Sequence, residues 1–249
     1  MTDNQIPIAD FLEEEEDSQL TGYETDVDLV YVIDGTGSMQ NLLDAVQKTA
    51  LTLDQRIKSK LIDYGRLIRQ LRIRVIVYRD IYVDAQWIQD SGFLLLPDER
   101  NEFKRFIESI RASGGGDLPE SGLEALHAAI NSDWNRTPGV TKHRQIIAVM
   151  SDAAAHPLNH PQRKIDPGYP TDFSPAIPNG LPQLQDEWLD LSSDVNLGNG
   201  ARLLLFTPND APWQKIASWT STQPYTITGG QGIDEAIYEQ IVTFVAKSV

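Results

Sequence analysis

Short apolar, β-branched runs alternate with amphipathic helical stretches along this chain, and that alternation limits the folds open to it. Val27 to Ile33 (VDLVYVI) reads as a buried strand. After the loop Asp34-Gly35-Thr36-Gly37-Ser38, the residues Met39, Leu42, Leu43, Val46, Ala50, Leu53, Ile57, Leu61 and Ile62 recur at three and four, which predicts one long amphipathic helix. Leu71 to Tyr78 alternates as a second strand, and Phe93 to Leu96 reads as a shorter third. Asp98 to Arg111 is helical in pattern, with Phe103, Phe106, Ile107 and Ile110 inward; Pro119 and Glu120 open another helix with Leu123, Leu126 and Ile130 on one face. Gln145 to Met150 and Ala201 to Phe206 follow as strands, Tyr225 to Thr228 is a further candidate, and Gly232 to Lys247 closes the chain as a helix. Shorter helices are expected over Leu184 to Leu191 and Pro212 to Trp219. Strands separated by helices imply an α/β, Rossmann-like fold: a doubly wound, mainly parallel central sheet flanked by helices.

Charge and composition exclude several functions. The 249 residues carry 21 Lys and Arg against 36 Asp and Glu, a net charge of −15. Phosphate recognition needs a basic patch, so nucleic acid is not an expected partner, and anionic membrane surfaces are disfavoured for the same reason. There is no Cys, which removes disulfides, thiolate metal sites and Cys nucleophiles. No apolar run is long enough to span a bilayer, and Met1-Thr2-Asp3-Asn4 lacks the basic and apolar regions of a signal peptide. A cytoplasmic, monomeric protein is expected, although a removed leader would leave no trace. Residues 1–25 read as an acidic, solvated tail: up to Asp26 the chain holds nine acidic residues and no Lys or Arg. Residues 26–249 read as one domain, interrupted at 157–182 by a segment holding seven of the fourteen prolines.

In doubly wound folds the site lies outside the carboxyl ends of the strands. Three loops there are rich in oxygen. Asp34, Thr36 and Ser38 form a D-x-T-x-S pattern; Gly114-Gly115-Gly116-Asp117-Leu118-Pro119-Glu120 brings two carboxylates to a helix start; Ser151-Asp152 adds another after a buried strand. Such hard donors suit Mg²⁺, Mn²⁺ or Ca²⁺. Each loop also has a plainer reading: Ser38 as a helix cap, and Asp117 or Glu120 as charges favouring a helix N-terminus. Rival motifs fail. Gly35-x-Gly37 lacks the third glycine of a dinucleotide loop, since position 40 is Gln; no Lys follows a P-loop-like glycine run; no G-x-S-x-G elbow occurs. His156 and His160 stand four apart but flank Pro157, which argues against helical pairing on a metal.

At these residues the chain resembles a von Willebrand factor type A domain. VDLVYVIDGTGSM is similar to the first strand and metal-ion-dependent adhesion site of that family, with Thr36 in place of the commonest Ser. GGGDLPESGLEAL resembles the second metal loop of the branch containing integrin β subunits, hemicentins and alpha-kinase-associated A domains. Val77-Tyr78-Arg79-Asp80 is similar to a Y-R-D stretch of the alpha-kinase-associated group, and Met150-Ser151-Asp152-Ala153 to the third loop. The resemblance implies Thr36, Ser38 and Glu120 as direct ligands, with Asp34 and Asp152 acting directly or through water. Asp117 matches a position serving a neighbouring cation, although Gly115 replaces the Asn that helps hold it. It further implies a Mg²⁺-dependent, non-enzymatic adhesion or assembly module that captures Asp or Glu from a partner protein. The alternative is a metal-dependent hydrolase or phosphotransferase on the same acidic site.

Overall fold

The computed structural model describes residues 25–248, apart from 50–51, 64–67, 115–118, 138–141, 167, 195–196, 198–199, 231–232 and 234. Seven strands form one sheet: β1 (Thr25–Asp34), β2 (Ile68–Tyr78), β3 (Ile88–Asp90), β4 (Leu94–Leu96), β5 (Lys142–Met150), β6 (Ala201–Thr207) and β7 (Thr222–Thr226). The order is β3-β2-β1-β5-β6-β7, with β4 also on β2. β1, β2, β5, β6 and β7 are parallel, while β3 and β4 run antiparallel to β2. The expected α/β architecture is present. β3 was not expected, because three residues are too few to show a period. β7 starts earlier than its sequence suggests: Pro224 argues against an interior strand, but β7 is an edge, where a missing N–H is tolerated.

The helices are α1 (Gln40–Thr49), α2 (Leu53–Asp63), α3 (Arg100–Ser109), α4 (Gly122–Ile130), α5 (Leu181–Ser192), α6 (Trp213–Ile216) and α7 (Glu235–Ser248). The expected single long helix after the first loop is two helices. Thr52, a residue type that favours caps over helix interiors, is a turn residue just before α2, and 50–51 lie outside the described residues. Ile62, expected to face inward, is 59% exposed.

β1 shows how the sheet separates two cores. Val27, Leu29, Tyr31 and Ile33 pack on one face with residues of α1, α2, α3 and α7. Val30 and Val32 pack on the other with residues of α4, α5 and α6. Each such aliphatic side chain contributes roughly 1.5–3 kcal/mol by leaving water, and burial on both faces explains the continuous apolar run. The polar exceptions at the start of β1 are paired. Arg72 donates to both oxygens of Asp28, at 2.7 and 2.6 Å, and Arg69 to Asp26.

Residues 157–182 fold over α4 rather than away from the domain. Arg163 donates to the carbonyls of Leu158 (2.8 Å), Ile177 (2.5 Å) and Pro178, closing the segment on itself. His127, buried on α4, places its Nε2 3.0 Å from the Pro175 carbonyl and its Nδ1 2.7 Å from Glu187 on α5. Tyr82, just past the carboxyl end of β2, stacks on Tyr169 and contacts the rings of His156 and His160. The two histidines thus belong to an aromatic cluster.

Candidate metal centre

β1 sits between β2 and β5, so the chain reverses its direction of sheet growth across the β1–β5 pair. The crevice at such a switch point opens at the carboxyl ends of the strands. The register puts Asp34 opposite Tyr78, and Ile33 opposite Met150, so Asp34, Tyr78 and Ser151-Asp152 meet at one level. Gly35 is needed there, because its N–H donates to the Tyr78 carbonyl at 2.7 Å and a Cβ would lie 2.6 Å from Val77 Cγ1.

Backbone bonds then lace the three loops together. Ser113 N–H donates to the Gly35 carbonyl at 3.0 Å, tying the approach to the second loop onto the first. Glu120 N–H donates to Ala154 O at 3.0 Å, and His156 N–H to Glu120 O at 2.8 Å, tying the second loop to the third through a Glu120–Ala155 bridge. Arg79, buried beside Gly35, donates to the carbonyls of Arg111 (2.6 Å), Ser113 (2.9 Å) and Gln86 (3.3 Å). Sequence reasoning noticed the Y-R-D stretch without its job: Arg79 braces the approach to the second loop.

The side chains converge in a specific order. Asp34 Oδ1 accepts from Thr36 N–H at 2.9 Å and from the Thr36 hydroxyl at 2.6 Å; Asp34 Oδ2 accepts from the Ser151 hydroxyl at 2.7 Å. The Ser38 hydroxyl donates to Asp152 Oδ1 at 2.9 Å and lies 3.5 Å from Thr36 Oγ1. A hydroxyl has one proton and two lone pairs. Thr36 and Ser38 have both committed that proton to a carboxylate, so they face one another with lone pairs. The capping reading of Ser38 does not hold: it lies inside the short 3₁₀ turn Gly37–Met39, and its hydroxyl crosses to Asp152.

Burial sets the electrostatics. Asp34, Glu120 and Asp152 are 0%, 1% and 2% exposed. Burial pushes the Asp34 carboxyl above its ordinary range, and the charge of Asp152 adds to this, against the hydrogen bonds from Thr36 and Ser151. The Tyr78 phenol is pushed well above its usual value, first by burial and then by Asp34, Glu120 and Asp152. Tyr78 and Ser151 therefore belong to the site, although neither was a candidate; the registers of β2 and of β5 against β1 are what reveal them.

Asp34, Thr36, Ser38, Glu120 and Asp152 all lie at this end of the sheet, whereas Asp117 lies outside the described residues. Among the described residues no three His, Asp or Glu side chains gather tightly enough to hold a metal by carboxylate and imidazole alone. The convergent set is instead hydroxyls backed by carboxylates. Lone pairs presented by two hydroxyls above buried negative charge match a hard cation, so the donor set fits a Mg²⁺-class ion.

No family model matches the chain. Among solved structures, the von Willebrand factor type A structure from Catenulispora acidiphila aligns with 90% of this chain and 43% of its own, with a TM-score of 0.50 and 13% sequence identity. The fold is that of a von Willebrand factor type A domain. Two curated proteins share sequence with this type A fold. An ariadne-like RING finger protein of Acanthamoeba polyphaga mimivirus is 33% identical over 130 residues, 52% of this chain and 11% of that protein. The alpha-protein kinase vwkA of Dictyostelium discoideum is 26% identical over 167 residues, 67% of this chain and 24% of the kinase. The chain thus spans a minor part of the length of either. Among the described residues of the type A fold, no helix is long and apolar enough to cross a membrane.

Proposed function

We propose that the cluster at the β1–β5 switch point is a metal-ion-dependent adhesion site, and that the protein is a non-enzymatic binding module taking an Asp or Glu side chain from a protein partner. One observation carries this reading: Thr36 and Ser38 each give their hydroxyl proton to a buried carboxylate and turn lone pairs into a shared space. Thr36, Ser38 and Glu120 would hold Mg²⁺, or Mn²⁺ or Ca²⁺, while Asp34 and Asp152 orient the hydroxyls and supply negative charge from behind. The ion would supply an electrophilic position able to accept a partner's carboxylate oxygen. Neutral hydroxyls leave part of its charge uncompensated, which favours an incoming anion. Glu120 reduces that excess, so a weaker and more readily regulated contact is expected than at a site completed by Thr.

Ser38 is exposed, which leaves the cluster open to a macromolecule on one side. In this reading residues 26–249 act as one module and monomer and the 157–182 insertion shapes partner choice; of the expected acidic tail, residues 1–24 lie outside the described residues and Thr25 is buried in β1. Hydrolysis would require a water-activating base and a means of stabilising the leaving group, and no side-chain arrangement described above favours it. Calorimetric titration with Mg²⁺ and Mn²⁺ tests the reading. One saturable site is expected in the protein and none in Asp34→Ala; undiminished binding by that variant would sink the assignment.

A further inference from the structure

A cleft of about 520 Å³ opens beside the metal cluster. Leu123, Ala155, Pro157, Leu158, Leu181 and Pro212 give it apolar walls. Two of its walls are the ends of the insertion, around 157–159 and 179–182, so the cleft exists because this chain carries that segment. It begins next to the cluster: Ala155 is bridged to Glu120, and Leu123 follows Glu120 by about one helical turn. Next to the Pro212 wall, Trp213 Nε1 donates to Ala153 O at 2.9 Å.

Among its exposed lining residues Asn159, Asn179 and Lys215 are polar, and they stand with Pro157, Pro182 and Ala211. Lys215 is the only charged residue among those lining the cleft, on a chain of net charge −15. Two amides offer donors and acceptors to a peptide backbone, and the lysine offers a charge to an acid. The volume falls in the range of ligand pockets. It is ample for an aliphatic side chain, since a cavity of about 150 Å³ already takes a benzene ring.

We propose that this cleft seats a leucine- or proline-sized side chain from the same extended partner segment whose carboxylate occupies the metal cluster, with Lys215 pairing a second acidic residue beyond it. The partner is therefore an acidic segment with an apolar residue at a fixed spacing from its metal-binding Asp or Glu. This rests on the metal reading for the position of the first carboxylate. The cleft gives affinity by removing apolar surface from water on both sides, and the two acids give register.

Selection of a random peptide library against the full chain in Mg²⁺ tests the proposal. Enriched sequences should carry Asp or Glu with Leu, Ile or Pro at one constant spacing. Replacing that apolar residue by Ser in a synthetic peptide should weaken binding on the order of tenfold. Asn159→Trp, which adds bulk to the lining, should lose the apolar preference and keep the acidic one. Lys215→Glu, a surface change that leaves the walls intact, should lose the second acid. Acidic, Mg²⁺-dependent enrichment with no fixed apolar position, or an apolar preference that survives Asn159→Trp, overturns the cleft proposal and leaves the metal reading standing. Enrichment indifferent to chelator overturns the metal reading, and with it the two-point partner. A Mg²⁺-independent dimer in sedimentation that Asn159→Trp abolishes would assign the cleft to a second copy and overturn the proposal as well.

Discussion

Asp34 has two duties with opposite consequences for stability. It orients Thr36 and Ser151, and it is a carboxylate buried beside another carboxylate. Its folded pKa is raised, so its ionised form weighs against folding at neutral pH and that cost disappears below its unfolded value. Asp34→Asn keeps the shape and removes the charge. The metal-free variant is expected to be as stable as the parent, within about 1 kcal/mol, or more stable, while the stabilisation given by Mg²⁺ disappears. A large fall in its metal-free melting temperature would show that Asp34 is mainly structural. Glu124 provides a cleaner titration. It is fully buried in α4, and burial pushes its carboxyl from 4.5 to about 7, opposed by the hydrogen bond from Tyr169 and the charge of Arg163. The folded state holds this proton more tightly than the unfolded chain. Below about 4.5 the group is neutral in both states; as pH rises the cost of ionising it in the folded state grows and is complete above about 7. Glu124→Gln should flatten that slope and gain roughly 1–3 kcal/mol at pH 8, with little change at pH 4; denaturant unfolding at the two pH values measures it.

At the scale of elements, one side chain closes the insertion on itself. One guanidinium, Arg163, closes it through three carbonyls and lies 4.9 Å over the Tyr169 ring. Arg163→Met removes those donors and leaves buried carbonyls to find water, at about 1–3 kcal/mol. Limited trypsin digestion should then cut at Lys164, while the sheet keeps a cooperative unfolding transition. Unchanged resistance would mean that packing of Tyr169 and Ile177 on α4 suffices. The sequence disclosed some of these elements and concealed others for physical reasons. The β1, β5 and β6 strands were legible because burial on both faces writes a continuous apolar run. The three oxygen-rich loops were legible because they follow such runs. The insertion's path was hidden, since prolines mark irregular backbone without saying where it goes; the contacts that fix it, His127 with Pro175 and Tyr82 with Tyr169, join residues far apart in the chain. Tyr78 was hidden likewise, because a strand residue becomes part of a site only through the register of its neighbour.

For the whole molecule, the proposed cation and the acidic N-terminal residues both enter a balance of charge that stands at −15. Mg²⁺ bound only by the folded state, at about 100 times its dissociation constant, should raise stability by ~2.7 kcal/mol, and chelator should reverse this. Whether residues 1–24 occupy the site themselves is a question of distance and entropy. They join the sheet at Thr25, the amino end of β1, while Asp34 ends the same ten-residue strand. At about 3.3 Å per residue the point of attachment lies ~30 Å from the cluster. Twenty-odd residues can cover that distance when extended. Ordering each, however, costs about 1–2 kcal/mol, so a single carboxylate–metal contact offsets only a few of them. Holding the whole path would take additional burial. Self-occupation by these carboxylates is therefore not expected, and the proposed site is left for a partner. Starting the chain at Glu24 should leave Mg²⁺ affinity within about threefold, a difference under 1 kcal/mol, and should leave capture of an acidic peptide unchanged. It should also remove the weak, salt-sensitive cation binding expected of a stretch this rich in Asp and Glu. Much tighter peptide binding after truncation would instead identify the tail as an inhibitor of its own site.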